Sequence, residues 1–275
     1  MSIELDDIEF KKMLQGLYER HGYDYTEYAL SSIKRRVQHF MQLRKIGSLV
    51  DLEKRIATNE IVFEEFVQEI SVTVTEMFRD PLFYKSIREN VLKRLATYPV
   101  IRVWVAGCAT GEEAYSIAIL LKEEGLLERS VIYATDINQK SLNSAKEGIY
   151  SVENMQNYTR NYILAGGQHS FSEYYTAKYN SVLFEKSLRK NIVFSVHNLT
   201  TDKSFNEFQL IICRNVMIYF NQQLQNKVFD LFHKSLCNFG FLALGSKESL
   251  LFYDGHKQFE EIDRKEKIYM KSTHK

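Results

Sequence analysis

The first 70 residues place their apolar positions at a helical period only. Phe10, Met13, Leu14, Leu17 and Tyr18 recur at i, i+3, i+4, i+7 and i+8. Leu30, Ile33, Val37, Phe40 and Met41 form a second stripe, and Phe63, Phe66, Val67 and Ile70 a shorter third. These stripes predict amphipathic helices that close into a small bundle. Further on the pattern changes to short apolar runs of strand type at residues 103–105, 131–136, 191–198 and 209–215, the first leading into a helix-like period over 114–121. Alternating strands and helices predict an α/β domain. Residues 151–190 interrupt the alternation. There, runs 171–179 and 181–188 carry aromatic and β-branched residues, with Gly166-Gly167 before them and Asn180-Ser181 between, which predicts a small antiparallel hairpin. The expected organisation is a helical domain over 1–70 and an α/β domain over 71–275, with a β insertion at about 151–190. No Pro- or Gly-rich linker marks the junction, so residues 71–80 are expected to serve as connection and site wall together.

The stretch VWVAGCATGEEAY, residues 103–115, is the most telling in chemistry. A buried-type strand breaks at Gly107 and Gly111, which allow close backbone approach, and two carboxylates follow where a helix begins. Gly-x-x-x-Gly fits neither the dinucleotide fingerprint nor a phosphate-cradling loop, and so argues against a nicotinamide oxidoreductase. A helix start beside Glu112 and Glu113 suits a positively charged ligand better than a polyphosphate. S-adenosylmethionine, with its sulfonium and ammonium, has that charge. A glycine turn between strand and helix is equally a plain structural device, so the loop decides nothing alone. Asp136 ends the next strand 25 positions after Gly111, near the distance at which Rossmann-like folds place a ribose-binding carboxylate; its competing role is the N-cap of the following helix. Ligands of open α/β sheets collect at the carboxyl ends of strands, which brings in Asn198 and Asn215. Arg214 and Asn215 interrupt the apolar run CRNVMIYF, a cost unless both find partners. Either they line a site, or Arg214 ties loops together and Asn215 caps the helix starting near Asn221.

Four segments in order, TVTEMFRD (73–80), ATGEEAYSIA (109–118), ATDIN (134–138) with GIY (148–150), and CRNVMIYF (213–220), resemble the CheR family. These are the chemotaxis receptor glutamate O-methyltransferases, which use S-adenosylmethionine. The likeness runs from about Ser71 to the C-terminus, and the concurrence of FR, TGEE and RNVMIYF is more specific than any one of them. It implies a Rossmann-like methyltransferase sheet, with S-adenosylhomocysteine as product and no metal. It also implies cofactor contacts at Thr73, Thr75, Arg79, Glu113, Asp136, Asn198, Leu199, Asn215 and Val216. Thr73 stands where many relatives have Asn, Ala114 where Pro is more usual, and Gly107-Cys108 where a small-residue pair is. A glutamate acceptor, of pKa about 4.3, is ionised at neutral pH and needs no general base. Arg79 is the candidate to orient it in two-pronged fashion; the plainer role is an ion pair with Asp80 or Glu76. Tyr219 is the candidate hydroxyl donor near the transfer centre, or else one core aromatic among 17 tyrosines. The implied partner is a chemoreceptor cytoplasmic domain, docked at Arg35, Arg36 and His39 unless these form only a solvated face. A receptor tail peptide could add a strand to the β insertion, as in some relatives.

Composition narrows the remainder. With 275 residues, 45% hydrophobic and 26% charged, the chain can bury a full core. A net charge of +1 argues against general nucleic-acid binding. The acidic start MSIELDDIEF lacks signal-peptide features and no run approaches the ~18 apolar residues of a membrane span, so a cytoplasmic protein is expected. Cys108, Cys213 and Cys237 form no CxxC pair and are read as buried thiols. A methyltransferase acting on nitrogen would commonly carry an Asn/Asp-Pro-Pro-aromatic motif, whereas the only prolines are Pro81 and Pro99. A cofactor-binding signalling scaffold of the same fold is the alternative to an enzyme.

Overall fold

The apolar stripes of the N-terminal segment bury one another in α1 (Asp7–His21), α2 (Leu30–Leu43), α3 (Leu49–Thr58) and α4 (Glu60–Ile70). A computed structural model of the chain describes residues 5–21, 23, 25–26, 28–70 and 75–273. Phe10, Met13, Leu14 and Leu17 of α1 meet Ile33, Val37, Phe40 and Met41 of α2 and Phe66 and Ile70 of α4 in one cluster, each fully buried side chain contributing roughly 1.5–3 kcal/mol. Tyr18 leaves its stripe and is 37% exposed. The sequence pattern did not reveal α3, because its buried positions reduce to Leu52 and Ile56, one turn apart. Its start is set by Ser48, whose hydroxyl accepts from the Asp51 amide at 3.2 Å.

The chain divides into two compact units, residues 1–73 with 219–227, and 74–218 with 228–275. Within the first, the Ala29 amide donates to the Tyr219 carbonyl at 2.8 Å, and the Tyr28 and Phe220 rings meet edge-on at 4.9 Å. The basic run of α2 is largely spent inside this unit. Lys34 pairs with Asp7, His39 with Glu69 at 2.7 Å, and Arg44 with Glu65. Arg36 lies over the Tyr219 ring at 5.1 Å and donates to the Glu69 carbonyl at 3.4 Å, while Arg35 is exposed.

The second unit opens with α5 (Pro81–Ser86), continuing through a π-helical stretch (Ile87–Leu92) into α6 (Lys93–Leu95). There follow β1 (Ile101–Ala106), α7 (Glu112–Glu123), β2 (Ser130–Asp136), α8 (Gln139–Glu147) and β3 (Ile149–Ser151). Next come α9 (Met155–Leu164), β4 (Tyr175–Lys178), β5 (Ser181–Phe184), α10 (Lys186–Arg189), β6 (Ile192–Val196) and β7 (Phe208–Cys213). The last elements are α11 (Gln222–Ser235), whose residues 222–227 group with the helical unit, β8 (Leu236–Leu244), β9 (Phe259–Asp263) and β10 (Ile268–Lys271). Seven strands form one sheet in the order β6-β2-β1-β7-β8-β10-β9. The first five run parallel, and β10 and β9 close the edge antiparallel. Every residue of β7 is buried, as expected of a central parallel strand covered on both faces. Trp104 on β1 is fully buried, and its indole N–H finds the Thr135 hydroxyl at 2.8 Å.

The predicted hairpin is real but shorter. Only β4 and β5 pair within it, and β3 joins β5 to make three strands in the order β3-β5-β4. Residues 171–174 instead form a 3-10 turn and 186–189 a helical turn, and α9 fills the segment before them. This subdomain is anchored by Glu123, whose side chain is 1% exposed. The Glu123 carboxylate accepts from Tyr174 Oη at 2.8 Å and the Gln168 amide at 3.1 Å, and it also pairs with Tyr162 and Arg88. Burial alone would raise this carboxyl, but the hydrogen bonds hold it below the ordinary 4.5. Glu123→Ala should cost about 3 kcal/mol in urea unfolding, since Arg88 would keep only Glu124. A carboxyl held low in the fold stabilises it above its unfolded value and loses that contribution as pH falls through the folded one. The gap between wild type and variant should therefore narrow once pH drops below about 4.5.

Candidate cofactor site at the carboxyl edge of the sheet

The chain runs outward from β1 through β2 to β6, then returns to place β7 on the other side of β1. The strand order thus reverses between β1 and β7, and ligands of open α/β sheets bind in the crevice at that reversal. Two loops frame it, 107–111 after β1 and 214–217 after β7.

The first loop is tied to β2. The Gly107 and Cys108 amides both donate to the Thr135 carbonyl, at 2.7 and 2.9 Å, and the Ala109 amide donates to Asp136 Oδ2 at 2.9 Å. Gly107 has φ +77°, and a Cβ there would lie 2.3 Å from Val216 Cγ2, so only glycine lets the two loops approach this closely. Asp136 Oδ1 accepts from the Asn138 amide at 2.8 Å. The N-cap of α8 is Asn138, whose Oδ1 takes the Lys140 and Ser141 amides at 3.0 and 3.1 Å, so the capping role open to Asp136 belongs to its neighbour. Asp136 is half-buried; burial pushes its carboxyl up against the main-chain amides of Asn138, Ala109 and Ile137, which favour its charge.

The second loop begins with a buried charge. The Arg214 side chain is 3% exposed, donating to Glu113 at 2.8 Å and to Asp80 at 2.6 Å, with its guanidinium 4.0 Å from the centre of the Phe83 ring. Glu113 also accepts from Tyr84 Oη at 3.4 Å. Arg214 therefore ties loops together, the plainer of its two readings. Asn215 is left-handed at φ +61° and does not cap α11, since the Leu224 amide donates to Asn221 at 2.8 Å instead. The amides of Asn215, Val216 and Met217 all reach the carboxylate of Glu248.

Other expected contacts lie on adjoining segments. The His197 amide donates to the Asp136 carbonyl at 3.2 Å, setting the turn after β6 beside the end of β2. In that turn Asn198 Oδ1 accepts from the Thr200 amide and hydroxyl at 2.9 and 2.8 Å, and Leu199 is half-buried. Thr75 and Arg79 are half-exposed on the segment before α5, which is pinned by Phe78 N to Ser116 Oγ at 3.0 Å and Asn161 Nδ2 to the Met77 carbonyl at 3.1 Å. Of the ion-pair partners considered for Arg79, Asp80 binds Arg214 and Glu76 accepts from Asn157. Thr73 lies outside the described residues. Tyr219 falls with the helical unit. Among the described residues eight non-glycines have positive φ, and four of them (Phe78, Asp80, Ala109, Asn215) sit in these loops, a clustering of strain typical of functional sites.

The sequence profile of the CheR methyltransferase S-adenosylmethionine-binding domain matches residues 73–268, and that of the CheR all-alpha domain matches residues 8–71. The chain belongs to the CheR methyltransferase family. A Pseudomonas putida protein named Cher3 is 47% identical over 97% of each chain. The chemotaxis protein methyltransferase of Listeria monocytogenes is 29% identical over 84% of this chain and 86% of its own. That of Escherichia coli is 28% identical over 96% and 88%. The protein is accordingly an S-adenosylmethionine-dependent methyltransferase. Its residues suit that cofactor. The Asp136 carboxylate, which accepts the Ala109 and Asn138 amides on different oxygens, has about four lone-pair sites and so keeps acceptor capacity for a ribose hydroxyl. The glycine loop carries no lysine for a polyphosphate.

Two features escaped the sequence reading. Glu248 gave no signal, being one acid in a polar loop. Glu112 was read, with Glu113, only as acid at a helix start suited to a positively charged ligand, whereas its carboxylate turns inward, 5% exposed, to the Thr110 hydroxyl at 2.6 Å and Tyr158 Oη at 3.4 Å. Burial pushes this carboxyl up to about 7. Because the unfolded chain ionises it near 4.5 while the fold keeps it protonated toward 7, folding stability falls as pH climbs through that window, by about 3 kcal/mol. Glu112→Gln, which cannot titrate, should flatten the stability slope between pH 5 and 8. An unchanged slope in urea titrations of the variant would assign it to another group.

Proposed function

We propose that the protein methylates glutamate side-chain carboxylates on the cytoplasmic helices of a chemoreceptor, giving methyl esters, and that it works in the cytoplasm. The carrying observation is that chemotaxis protein methyltransferases align with 84–96% of this chain, across both family domains. Among the described residues no helix is long and apolar enough to cross a membrane. Residues 1–70 act as the helical domain and 71–275 as the catalytic domain, with the small sheet near 151–190 inserted in it.

Bound S-adenosylmethionine supplies an electrophilic methyl group. Toward it, Asp136 accepts the ribose hydroxyls, while Thr73, Thr75, Glu113, Asn198, Leu199, Asn215 and Val216 form the remaining contacts. Arg79 orients the substrate carboxylate, and Tyr219 donates its hydroxyl near the transfer centre. An ionised acceptor has no proton to lose, so the work of these residues is alignment and exclusion of water. Arg35, with Arg36 and His39, meets the acidic receptor helix, and the edge of the small sheet is open to a receptor tail peptide.

Calorimetric titration with S-adenosylmethionine and S-adenosylhomocysteine should give micromolar dissociation constants; folded protein that binds neither would overturn the enzyme reading and the cofactor-binding scaffold alike. Labelled methyl transfer to receptor-bearing membranes should be released as volatile methanol by base, as esters are, and base-stable label would sink the carboxylate acceptor. Asp136→Ala should weaken S-adenosylhomocysteine binding about tenfold or more, for the loss of hydrogen bonds to a charged group. Arg79→Ala should lose turnover well beyond cofactor affinity, and equal losses of both would assign Arg79 to the cofactor.

A further inference from the structure

Four main-chain amides converge on the carboxylate of Glu248, a residue 5% exposed. Oε1 accepts from Val216 at 2.9 Å and Met217 at 2.8 Å, and Oε2 from Asn215 at 3.0 Å and Gly245 at 2.6 Å. Residues 215–217 follow the last residue of β7, so the strand ladder does not claim these amides, and three successive N–H groups turned to one anion form a nest. The nest sustains the left-handed Asn215. A Cβ on Gly245 would lie 2.7 Å from Glu248 Oε2 and 2.9 Å from the Asn215 amide, so glycine is needed where the two segments meet. On its far side Val216 presses on Gly107, so the backbone that Glu248 holds also sets how closely the β1 and β7 loops approach.

We propose that Glu248 is a positioning residue for the cofactor site, its carboxylate fixing the 215–217 backbone so that Asn215 and Val216 present themselves to S-adenosylmethionine. This rests on reading those two residues as cofactor contacts. Burial works against the charge of Glu248 and the four amides work for it. Glutamine keeps the shape but turns an NH2 donor toward two of the four N–H groups, so the nest cannot stay filled.

The test is Glu248→Gln in the full chain, read by S-adenosylhomocysteine titration and by 15N amide spectra. Affinity should fall about tenfold or more, as expected when hydrogen bonds to a charged group are lost. The Asn215, Val216 and Met217 resonances should move while those of α1 and α2 stay. A purely structural role would lower the melting temperature without this pairing of effects. Unmoved resonances, or moved resonances with wild-type affinity, overturn the proposal. Gly245→Ala, which crowds the same carboxylate, should shift the same three amides and serves if the glutamine variant does not fold. Should wild type itself fail to bind S-adenosylhomocysteine, the cofactor reading fails, and the amide shifts alone then decide whether Glu248 holds the segment.

Discussion

A buried guanidinium holds the carboxyl edge of this sheet together. With 3% of its side chain exposed, Arg214 cannot rely on water, and an unpaired charge at that depth would cost several kcal/mol. It is matched by Glu113 from the first turn of α7 and Asp80 from the residue before α5, and its planar face is covered by Phe83. Three segments distant in sequence therefore take one arrangement. The pairing also explains why Asp80, at the position before a helix where an acid would ordinarily cap, leaves the amides of α5 uncapped by its side chain and sits at φ +59°. Its carboxylate is committed to Arg214.

The next residues are held by the opposite sign of charge. Where Arg214 is fixed through its side chain by two acids, residues 215–217 are fixed through their backbone by one acid, Glu248. Asp136 works similarly on the other side of β1, taking one amide from the 107–111 loop and one from the start of α8. Loops that would otherwise be mobile are thereby set before any ligand arrives, which lowers the ordering entropy left to binding. The strained backbone at Phe78, Asp80, Ala109 and Asn215 is tolerable because these charge-assisted bonds over-determine it.

The sequence disclosed those parts of the molecule whose physics is local or periodic. Strands β1 and β7 were legible because burial on both faces makes them nearly continuous apolar runs, β2 because its apolar-led run VIYATD stops at an acid, and α1, α2 and α4 because their stripes are regular. Strand β8 was not, since it follows α11 with no turn residue between Ser235 and Leu236, and β9 was masked by the charges of FEEID. Asp136 was visible from its spacing after the glycine loop. Glu248 was invisible because its partners are backbone amides, which every residue but proline carries, so no pairing rule in sequence points to them. The basic run of α2 was visible as charge but not as commitment, because the acids on which Lys34, His39 and Arg44 are each spent come from elsewhere in the same unit and meet them only on folding.

A strongly raised carboxyl in an enzyme invites the role of general base, since perturbed acids gather at active sites. Geometry decides otherwise for Glu112. It sits on the first turn of α7, but its side chain points into the tyrosine-lined interior, where the Thr110 hydroxyl and Tyr158 occupy it. A base must reach the proton it removes, and a group closed off from the crevice cannot. That is consistent with a carboxylate acceptor, which has no proton to give up at neutral pH and asks for orientation instead. The raised carboxyl of Glu112 is then a cost of seating an acid beneath the glycine loop, while the adjacent Glu113 is held by Arg214 and Tyr84.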